Sequence, residues 1–216
     1  MDGVKIGVGI ITMGVRELDP GYFTCRMLQP ENLFIYTDSE RKGVSHARNQ
    51  CLKHFEGFDH VFLFDDDCRP MRSGWEEYLI SNAEKNNVHY MCIPNIFYDQ
   101  IIGQNGEMLV WTGGLGPFQY FTKHGLETLG GYNLAYTRYG FEDAGMKHRA
   151  LKAGLTGHPN GWSFPLRALV HIFSEDVTHQ NPKPNMSQEE KEAFIQLNRN
   201  EYFKEINSEQ IYYALE

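Results

Sequence analysis

The apolar run His60–Phe64 (HVFLF) ends directly in three adjacent aspartates, Asp65, Asp66 and Asp67. A short and nearly continuous apolar segment of this kind is typical of a strand that is buried on both faces of a sheet. Three neighbouring carboxylates repel one another unless a cation or a ligand offsets their charge. The sequence therefore predicts a buried central strand whose carboxyl end carries polar chemistry.

Other strand-like segments alternate with helical patterns along the chain. The strand-like segments are Lys5–Thr12, Asn32–Thr37, Val88–Ile93 and Met108–Thr112. We predict that the helices between and after them begin at Ser45, at Ser73 with Glu76, and at Ser187 with Glu190, as N-caps and capping boxes do. This alternation indicates an α/β fold, a Rossmann-like sandwich with a central, mainly parallel sheet flanked by helices. Ligands of such sheets bind beyond the carboxyl ends of the strands.

Length and charge set further limits. The chain has 216 residues, 41% of them hydrophobic, and a formal net charge of −8. These values predict one domain over residues 1–216, with a C-terminal helical tail from about residue 187. The acidic balance argues against a protein that binds nucleic acid mainly by neutralising phosphates. We expect a cytoplasmic protein with free thiols and no membrane span, because no apolar run reaches about 18 residues and no signal-peptide pattern is present.

The three aspartates suit a hard divalent cation. Side chains two residues apart in an extended chain share a face, so we expect Asp65 and Asp67 to point into the crevice together and Asp66 to turn away. Carboxylate oxygens bind Mg²⁺ or Mn²⁺, whose coordination is commonly completed by substrate phosphates. A solvated acidic turn after the strand is the alternative interpretation.

A second constellation lies between Gly130 and Gly154, where a loop rich in glycine and aromatic residues leads into Glu142 and Asp143. These two acids fall in the first turn of a predicted helix, where the exposed backbone N–H groups favour negative charge. Upstream, Trp111 ends a predicted strand that runs into a glycine cluster, which would let the backbone approach a ligand closely. An acidic helix start without further function is the alternative.

Taken in order, these motifs resemble those of the GT-A class of nucleotide-sugar-dependent glycosyltransferases, in particular glycosyltransferase family 2 and the β-1,4-galactosyltransferases. The resemblance runs from Lys5 to about Lys204. Its motifs are KIGVGIIT, YTDSE at 36–40, SHARNQCL at 45–52, FLFDDDCRP at 62–70, which is similar to the DxD strand, and the block from Trp111 to Gly154. It implies a GT-A fold and metal-dependent transfer of a sugar, most simply from a UDP-sugar, with Mn²⁺ or Mg²⁺ as cofactor.

The resemblance also implies roles for individual residues on the donor side. It assigns donor binding to Thr12, Asp38, Arg48, Asp65 and Asp66. It assigns metal coordination to Asp67, supported by Asp65 and by His179 in the segment VTHQNPKPN. His171 is the rival histidine, and its place in the apolar run ALVHIF favours a structural role for it.

On the acceptor side, the resemblance makes Asp143 the general base that removes the proton of the acceptor hydroxyl. It places acceptor contacts at Trp111, Gly113, Gly114, Tyr139 and Glu142. An aspartate at the base position favours inversion at the anomeric carbon, whereas retaining relatives tend to have an amide there. Phe141 stands where the family has a glycine. The expected acceptor is a glycan, a lipid-linked sugar or a small molecule.

Three alternatives remain at the sequence level. A haloacid-dehalogenase-like phosphatase would also use a DxD, but its nucleophile follows the first strand, and Arg69 stands where that family has Thr or Val. A non-catalytic sugar-nucleotide or carbohydrate-binding module would have the same fold without turnover. A glycosyltransferase acting on modified DNA bases would have the same motifs, but the charge of −8 without a basic stripe disfavours a nucleic acid acceptor.

Overall fold

Strands and helices alternate from the first described segment onward. The computed structural model describes residues 3–18, 20, 30–71, 73–165, 170–172 and 187–215. In that part of the chain the strands are β1 (Ile6–Thr12), β2 (Leu33–Thr37), β3 (His60–Asp65), β4 (Cys68–Pro70), β5 (Tyr90–Ile93), β6 (Ile101–Asn105), β7 (Met108–Trp111), β8 (Leu115–Thr122), β9 (Trp162–Pro165) and β10 (Val170–Ile172). The helices are α1 (Val44–His54), α2 (Trp75–Lys85), α3 (Lys123–Leu129), α4 (Glu142–Lys152) and α5 (Gln188–Ile206).

The central sheet has five strands in the order β2-β1-β3-β8-β5. β1 pairs in parallel with β2 and β3, whereas β8 runs antiparallel to both β3 and β5. Four of the five strands therefore point the same way, which confirms the α/β sandwich with a mainly parallel sheet. Register pairs Thr12 with Thr37 and Ile11 with Asp65, so the carboxyl ends of the three parallel strands meet at one edge.

Two small antiparallel sheets lie beside the central one. The predicted strand Met108–Thr112 forms as β7, but it lies in the sheet β6-β7-β9 and not in the parallel sheet. β4 follows the three aspartates directly and pairs with β10, which places His171 opposite Arg69 in the ladder. The chain therefore turns back within two residues of Asp65 and does not continue β3.

Helices cover both faces of the central sheet. One buried cluster joins Val8 and Ile10 of β1 to α2, and a second joins Ile11 to α1 and α4. Gly7 and Gly9 let α1 approach β1 closely, because a Cβ at those positions would lie 2.5 Å from the Phe55 ring and 2.8 Å from Cys51 Cβ. Close helix packing of this kind fixes where the residues of α1 stand relative to the strand ends.

Two predicted helix starts are wrong. α1 begins at Val44 with Gly43 as its N-cap, and α2 begins at Trp75 with Gly74 as its N-cap. Both glycines have positive φ, 107° and 79°, a backbone conformation that glycine adopts without the steric cost a Cβ imposes. Ser45 therefore lies inside α1 and Ser73 lies before the N-cap of α2.

The C-terminal helix α5 is held by polar side chains. Ser187 and Glu190 form the predicted capping box at its start. No apolar side chain of α5 is fully buried, Leu197 is 61% exposed, and the buried residues are Asn198 and Glu205. Glu205 pairs with Arg149 of α4 across an Nε–Oε1 distance of 2.8 Å. The capping box predicted the start of α5 correctly, and the side chains that hold the helix are polar.

The three described cysteines, Cys51, Cys68 and Cys92, are buried free thiols. Within the described residues, no helix is both long and apolar enough to cross a lipid bilayer.

Candidate active site

The aspartates after β3 lie beside the end of β1. The Thr12 hydroxyl donates to Asp66 Oδ2 at 2.6 Å, and Arg16 Nη1 lies 2.5 Å from Asp66 Oδ1 and 3.3 Å from Asp67 Oδ2. The prediction that Asp66 turns away is therefore wrong. Its physical reason is that β3 ends at Asp65, so the alternation of an extended strand stops before the second and third aspartates.

Arg48 reaches from α1 to the end of β3. Its Nη2 donates to Asp65 Oδ1 at 2.8 Å and to the backbone carbonyl of Gly116 at 2.9 Å. Its Nη1 lies 4.0 Å from Glu142 Oε1. This buried guanidinium therefore links the strand that carries the aspartates to the helix that carries Glu142 and Asp143.

Burial shapes the charge state of Asp65. Loss of solvent raises the pKa of Asp65 to about 6, the adjacent Arg48 opposes the rise, and the negative charges of Asp67 and Asp66 add to it. The side chain remains 27% exposed, so a ligand can still reach it from solvent. Asp65 is thus a carboxylate that gains from a further cation.

α4 begins with the two predicted acids because the chain turns sharply at Phe141. Phe141 is the N-cap of α4 with φ 71°, the left-handed region that favours glycine, and its ring packs on Tyr202 of α5 at a centroid distance of 5.2 Å. Phe141 stands where the family has a glycine, and its backbone has the conformation that a glycine adopts most easily. Contact with α5 stabilises it there.

Asp143 is packed against a glycine of β8. A Cβ added at Gly116 would lie 2.6 Å from Asp143 Cβ and 2.9 Å from Asp143 Oδ2. One turn along α4, Lys147 Nζ lies 3.8 Å from Asp143 Oδ2 and donates a hydrogen bond to the Gly114 carbonyl. The glycine cluster thus positions Asp143 and Lys147 by close backbone approach.

Two groups next to Asp143 have raised pKa values. Burial, together with the charge of Asp143, raises the pKa of Glu142 to about 7, and Arg48 opposes this rise. Burial and then the charges of Glu142 and Asp143 raise the pKa of the Tyr139 hydroxyl. The aspartates after β3 also act on Tyr139. The loop before α4, the start of α4 and the end of β3 therefore share one electrostatic environment.

Comparison with known proteins identifies the fold. No protein-family model matches the sequence, and no curated protein matches it significantly. A solved structure of GalNAc-T7 with UDP, GalNAc and Mn²⁺ matches 91% of this chain and 50% of its own, with a TM-score of 0.54 and 10% identity. The chain has a GT-A fold. It spans half the length of that structure.

Two further solved structures are similar over different lengths of the chain. The catalytic domain of Drosophila β1,4-galactosyltransferase 7 in complex with xylobiose matches 98% of this chain and 83% of its own, at a TM-score of 0.43 and 11% identity. A197 from STIV matches 56% of this chain and 67% of its own, at a TM-score of 0.39 and 12% identity.

The GT-A fold brings most of the predicted donor residues together. Thr12, Arg48 and the three aspartates are joined by the contacts described above. Asp38 lies at the end of β2, and its carboxylate accepts from the backbone N–H groups of Lys42 at 2.9 Å and Gly43 at 2.8 Å. Asp38 therefore orders the loop into α1, and its assignment to donor binding stays a prediction.

The predicted acceptor residues belong to β7, to the glycine cluster that follows it, to the loop before α4 and to α4. Tyr139, Glu142 and Gly114 are connected through α4. Trp111 ends β7 opposite Trp162, and its buried indole N–H has no hydrogen-bond partner among the described residues. Gly113 packs against the Asp99 carboxylate. The acceptor role of all five residues stays a prediction.

A divalent cation fits the aspartates in part. Asp67 Oδ1 is buried and accepts no hydrogen bond from any described residue, while the other oxygen lies near Arg16. In the described ranges no group of three His, Cys, Asp or Glu side chains forms a ready metal cage. Mg²⁺ and Mn²⁺ sites often use only one or two carboxylates plus substrate phosphates, so the orphan oxygen suits such a site. His179 lies outside the described residues.

Sequence reasoning missed three residues that shape the site: Arg16, Lys147 and Asn198. It expected the glycine cluster, which includes Gly116, to approach a ligand, whereas Gly116 packs against Asp143. Lys147 could have been found, because it lies four residues after Asp143 on one helix face. Asn198 could not, since a polar residue in a helix is ordinarily solvated, yet its side chain bonds the backbone of Thr137, Tyr139 and Gly140.

Proposed function

We propose that this chain is a metal-dependent glycosyltransferase. It moves a sugar from a nucleotide-diphosphate donor, a UDP-sugar, to an acceptor hydroxyl with inversion at the anomeric carbon. One observation carries the proposal: Arg48 bonds Asp65 and lies 4.0 Å from Glu142, so one guanidinium connects the aspartates to the acids of α4. A donor bound at Asp65, Asp66 and Asp67 would place its sugar next to Glu142 and Asp143.

The fold supports the donor class. GalNAc-T7, whose structure holds UDP and Mn²⁺, matches 91% of this chain at a TM-score of 0.54. At 10% identity the likeness extends to the fold alone, so the donor and metal rest on the aspartates of this chain. Their crowded charge and the orphan Oδ1 of Asp67 are the features that a cation and a diphosphate would satisfy.

The donor pole would use Asp67 and Asp65 as ligands, with Thr12, Asp38, Arg48 and Asp66 around the nucleotide. A bound Mn²⁺ or Mg²⁺ supplies Lewis-acid stabilisation of the negative charge that grows on the departing diphosphate. Arg48 adds a fixed positive charge, because its Nη2 is held between Asp65 and the Gly116 carbonyl. The chain thus provides orientation and charge on the leaving-group side.

Asp143 is the better candidate for the base. Its side chain is 24% exposed at the start of α4, whereas the Glu142 side chain is 10% exposed and lies toward Arg48. With a pKa of about 7, Glu142 is only partly ionised at neutral pH. Asp143 would take the proton from the acceptor hydroxyl as that oxygen attacks, and direct attack of this kind inverts the anomeric centre.

The acceptor would lie along the loop before α4. Tyr139, Trp111, Gly113, Gly114 and Glu142 are the residues we assign to it. The unpaired indole N–H of Trp111 could donate to an acceptor hydroxyl. This polar and aromatic lining suits a glycan, a lipid-linked sugar or a small hydroxylated molecule.

The decisive experiment is the Asp143→Asn variant, assayed after a screen of nucleotide-sugar donors with Mn²⁺ has found the donor. Asparagine keeps the size and the capping ability of the side chain but removes its basicity. Binding of UDP with Mn²⁺ should persist, while transfer falls by about 10²- to 10⁴-fold, the usual range for a positioned base.

Two outcomes would contradict the proposal. Near-normal transfer by Asp143→Asn would pass the base role to Glu142 or to another carboxylate. Donor binding without hydrolysis or transfer in the wild type, across the whole panel, would make the chain a non-catalytic binding module.

A further inference from the structure

A second cleft lies outside the carboxylate site. It is open, has a volume of about 490 Å³, and is bounded by the loop before α1, the loop before α4 and the start of α5. Its lining residues include two arginines, one lysine and two aromatic residues, namely Arg41, Lys42, Arg138, Tyr136 and Phe194. Three cations around one cleft stand out on a chain whose net charge is −8.

Two of these cations form no close ion pair, although the charge of Glu190 acts on both. Among the described residues, neither Arg41 nor Arg138 forms an ion pair or a side-chain hydrogen bond. Lys42 is paired with Glu40 at 2.8 Å, so it contributes less. The capping-box bonds with Ser187 lower the pKa of Glu190 most, and the charges of Arg138 and Arg41 lower it further, so the Glu190 carboxylate is already engaged by Ser187. The cleft therefore presents two guanidinium groups that a bound anion could pair.

Both arginines are held in an uncommon backbone conformation. Arg41 has φ 54° and Arg138 has φ 45°, in the left-handed region that non-glycine residues seldom adopt. Their loops are tied together, because Gly43 bridges Arg138 and Val44 N–H donates to the Arg138 carbonyl at 3.3 Å. Such strain is found at ligand sites more than elsewhere, which supports a functional reason for two arginines here.

The cleft also has an aromatic wall. The Arg138 guanidinium lies over the Phe194 ring at 5.5 Å from its centroid, which orients the planar group without using its hydrogen bonds. A guanidinium held in this way can still bind an oxyanion through two parallel N–H groups.

The cleft adjoins the loop that we assign to the acceptor. Arg138 is followed directly by Tyr139, and Asn198 of α5 bonds both Thr137 and Tyr139. An acceptor that extends from the Asp143 side along this loop would reach the two arginines next. This step rests on the proposed function, because it is the transferase reaction that requires an acceptor.

We propose that this cleft, through Arg41 and Arg138, binds an anionic group of the acceptor, a phosphate, sulfate or carboxylate carried beside the hydroxyl that is glycosylated. The chain would then prefer acidic sugars over neutral ones. The anion could also come from the diphosphate of the donor, and the experiment separates these two sources.

The first arm titrates the full chain with inorganic phosphate and follows the side-chain Nε–H signals of the arginines by NMR. Arg41 and Arg138 should shift saturably, and Arg138→Gln or Arg41→Gln should weaken phosphate binding by roughly tenfold, as loss of a charge-assisted hydrogen bond does. Arg199→Gln is the matched control, because Arg199 lies over Phe203 of the same helix at 5.6 Å and outside the cleft. Arg138→Lys serves as a second variant if the glutamine variant does not fold.

The second arm repeats the titration with saturating UDP and Mn²⁺. Shifts at both arginines that persist support an acceptor site, whereas their loss would show that the cleft holds the donor's diphosphate and would overturn the proposal. Absence of saturable shifts in the wild type would also overturn it. A chain that does not bind UDP contradicts the proposed function, but the phosphate titration still tests the cleft.

The third arm compares a neutral sugar with its 6-phosphate as acceptors once the donor is known. The phosphorylated sugar should have the higher kcat/KM, by at least about tenfold, and Arg138→Gln should lose that preference through KM while Arg199→Gln retains it. Equal use of both sugars would overturn the acceptor assignment.

Discussion

At the scale of single residues, the site depends on how closely charged groups are packed. Burial and the negative charge of Asp143 raise the pKa of Glu142, and the positive charge of Arg48 lowers it. Burial has the largest effect, so the pKa is raised overall. Gly116 packs so closely against Asp143 that a Cβ at position 116 would lie 2.6 Å from Asp143 Cβ. Both features can be tested without knowing the substrate.

The raised pKa of Glu142 predicts a specific dependence of stability on pH. Between about pH 4.5 and 7 the folded protein keeps the Glu142 proton while the unfolded chain releases it, so stability falls as pH rises through this window. Glu142→Gln should remove this component, so between pH 4.5 and pH 8 the unfolding free energy of the variant should rise by about 3 kcal/mol relative to that of the wild type. Urea unfolding at several pH values measures it.

Asp65, whose pKa is also raised, titrates in the same window, so the comparison of variant with wild type is the informative quantity. Glu127→Gln, at an exposed position of α3, is the control. Parallel stability curves for Glu142→Gln and wild type would refute the assignment of a neutral Glu142.

The contact between Gly116 and Asp143 predicts that Gly116→Ala will displace the acid. The added methyl group would lie 2.6 Å from Asp143 Cβ in a packed region, so we expect a loss of about 1–3 kcal/mol in unfolding free energy, as for other overpacked sites. Transfer should fall further than donor binding does. Gly103→Ala in β6 is the control, because its methyl group would meet Val110 at an ordinary 3.5 Å. Equal effects of the two substitutions would contradict the prediction.

At the scale of elements, one side chain of α5 makes five hydrogen bonds to the loop before α4. Asn198 accepts from Thr137 N–H at 2.9 Å and donates to the carbonyls of Thr137, Tyr139 and Gly140 at 2.8–2.9 Å. Thr137 Oγ1 adds a fifth bond at 3.1 Å. The helix therefore fixes the path of the chain from the basic cleft to the start of α4.

Asn198→Ala is expected to loosen this loop. Several buried backbone groups would lose their partner at once, so we expect a cost of about 1–3 kcal/mol, with faster hydrogen exchange concentrated in residues 137–141. Asn200→Ala, two residues along the same helix at an exposed position, should change neither quantity. Exchange that rises uniformly along the chain would indicate general destabilisation and count against a loop-specific role.

The sequence predicted elements better than their ends and contacts. Four strands of the central sheet formed close to the predicted bounds because apolar runs specify burial wherever they pair. The fifth strand, β8, was not predicted, because Gly116 and Pro117 near its start are typical of a turn. The helix starts at Gly43 and Gly74 were missed because a glycine N-cap has no polar side chain that marks it in the sequence, whereas a serine N-cap does. α5 was placed by its capping box, but its attachment through Asn198 depends on a loop 60 residues upstream. Likewise, the alternation predicted for the aspartates failed because the point where β3 ends depends on β4 and β10.

At the scale of the whole molecule, the crevice brings together opposite charges from distant parts of the chain. Arg48 pairs with Asp65 at the end of β3, Arg16 pairs with Asp66 directly after it, and both arginine side chains are buried. The acids of α4 reach the same region through Arg48. Because these pairs already neutralise much of the carboxylate charge, a divalent ion alone has less to gain here than one that arrives with a diphosphate.

The donor and its metal should therefore stabilise the molecule together more than either does alone. At concentrations 100 times the dissociation constant, UDP with Mn²⁺ should add about 2.7 kcal/mol, which for a domain of this size raises Tm by roughly 5–10 °C. Mn²⁺ alone should give a much smaller rise, and EDTA should reverse the joint effect. Asp67→Asn should abolish most of the joint rise, because it removes the charge next to the orphan Oδ1, whereas Asp143→Asn should retain it. Scanning calorimetry with Mn²⁺ alone, with UDP alone and with both measures these changes in Tm. If the rise in Tm with UDP and Mn²⁺ persists in Asp67→Asn, the metal is bound by carboxylates other than Asp67.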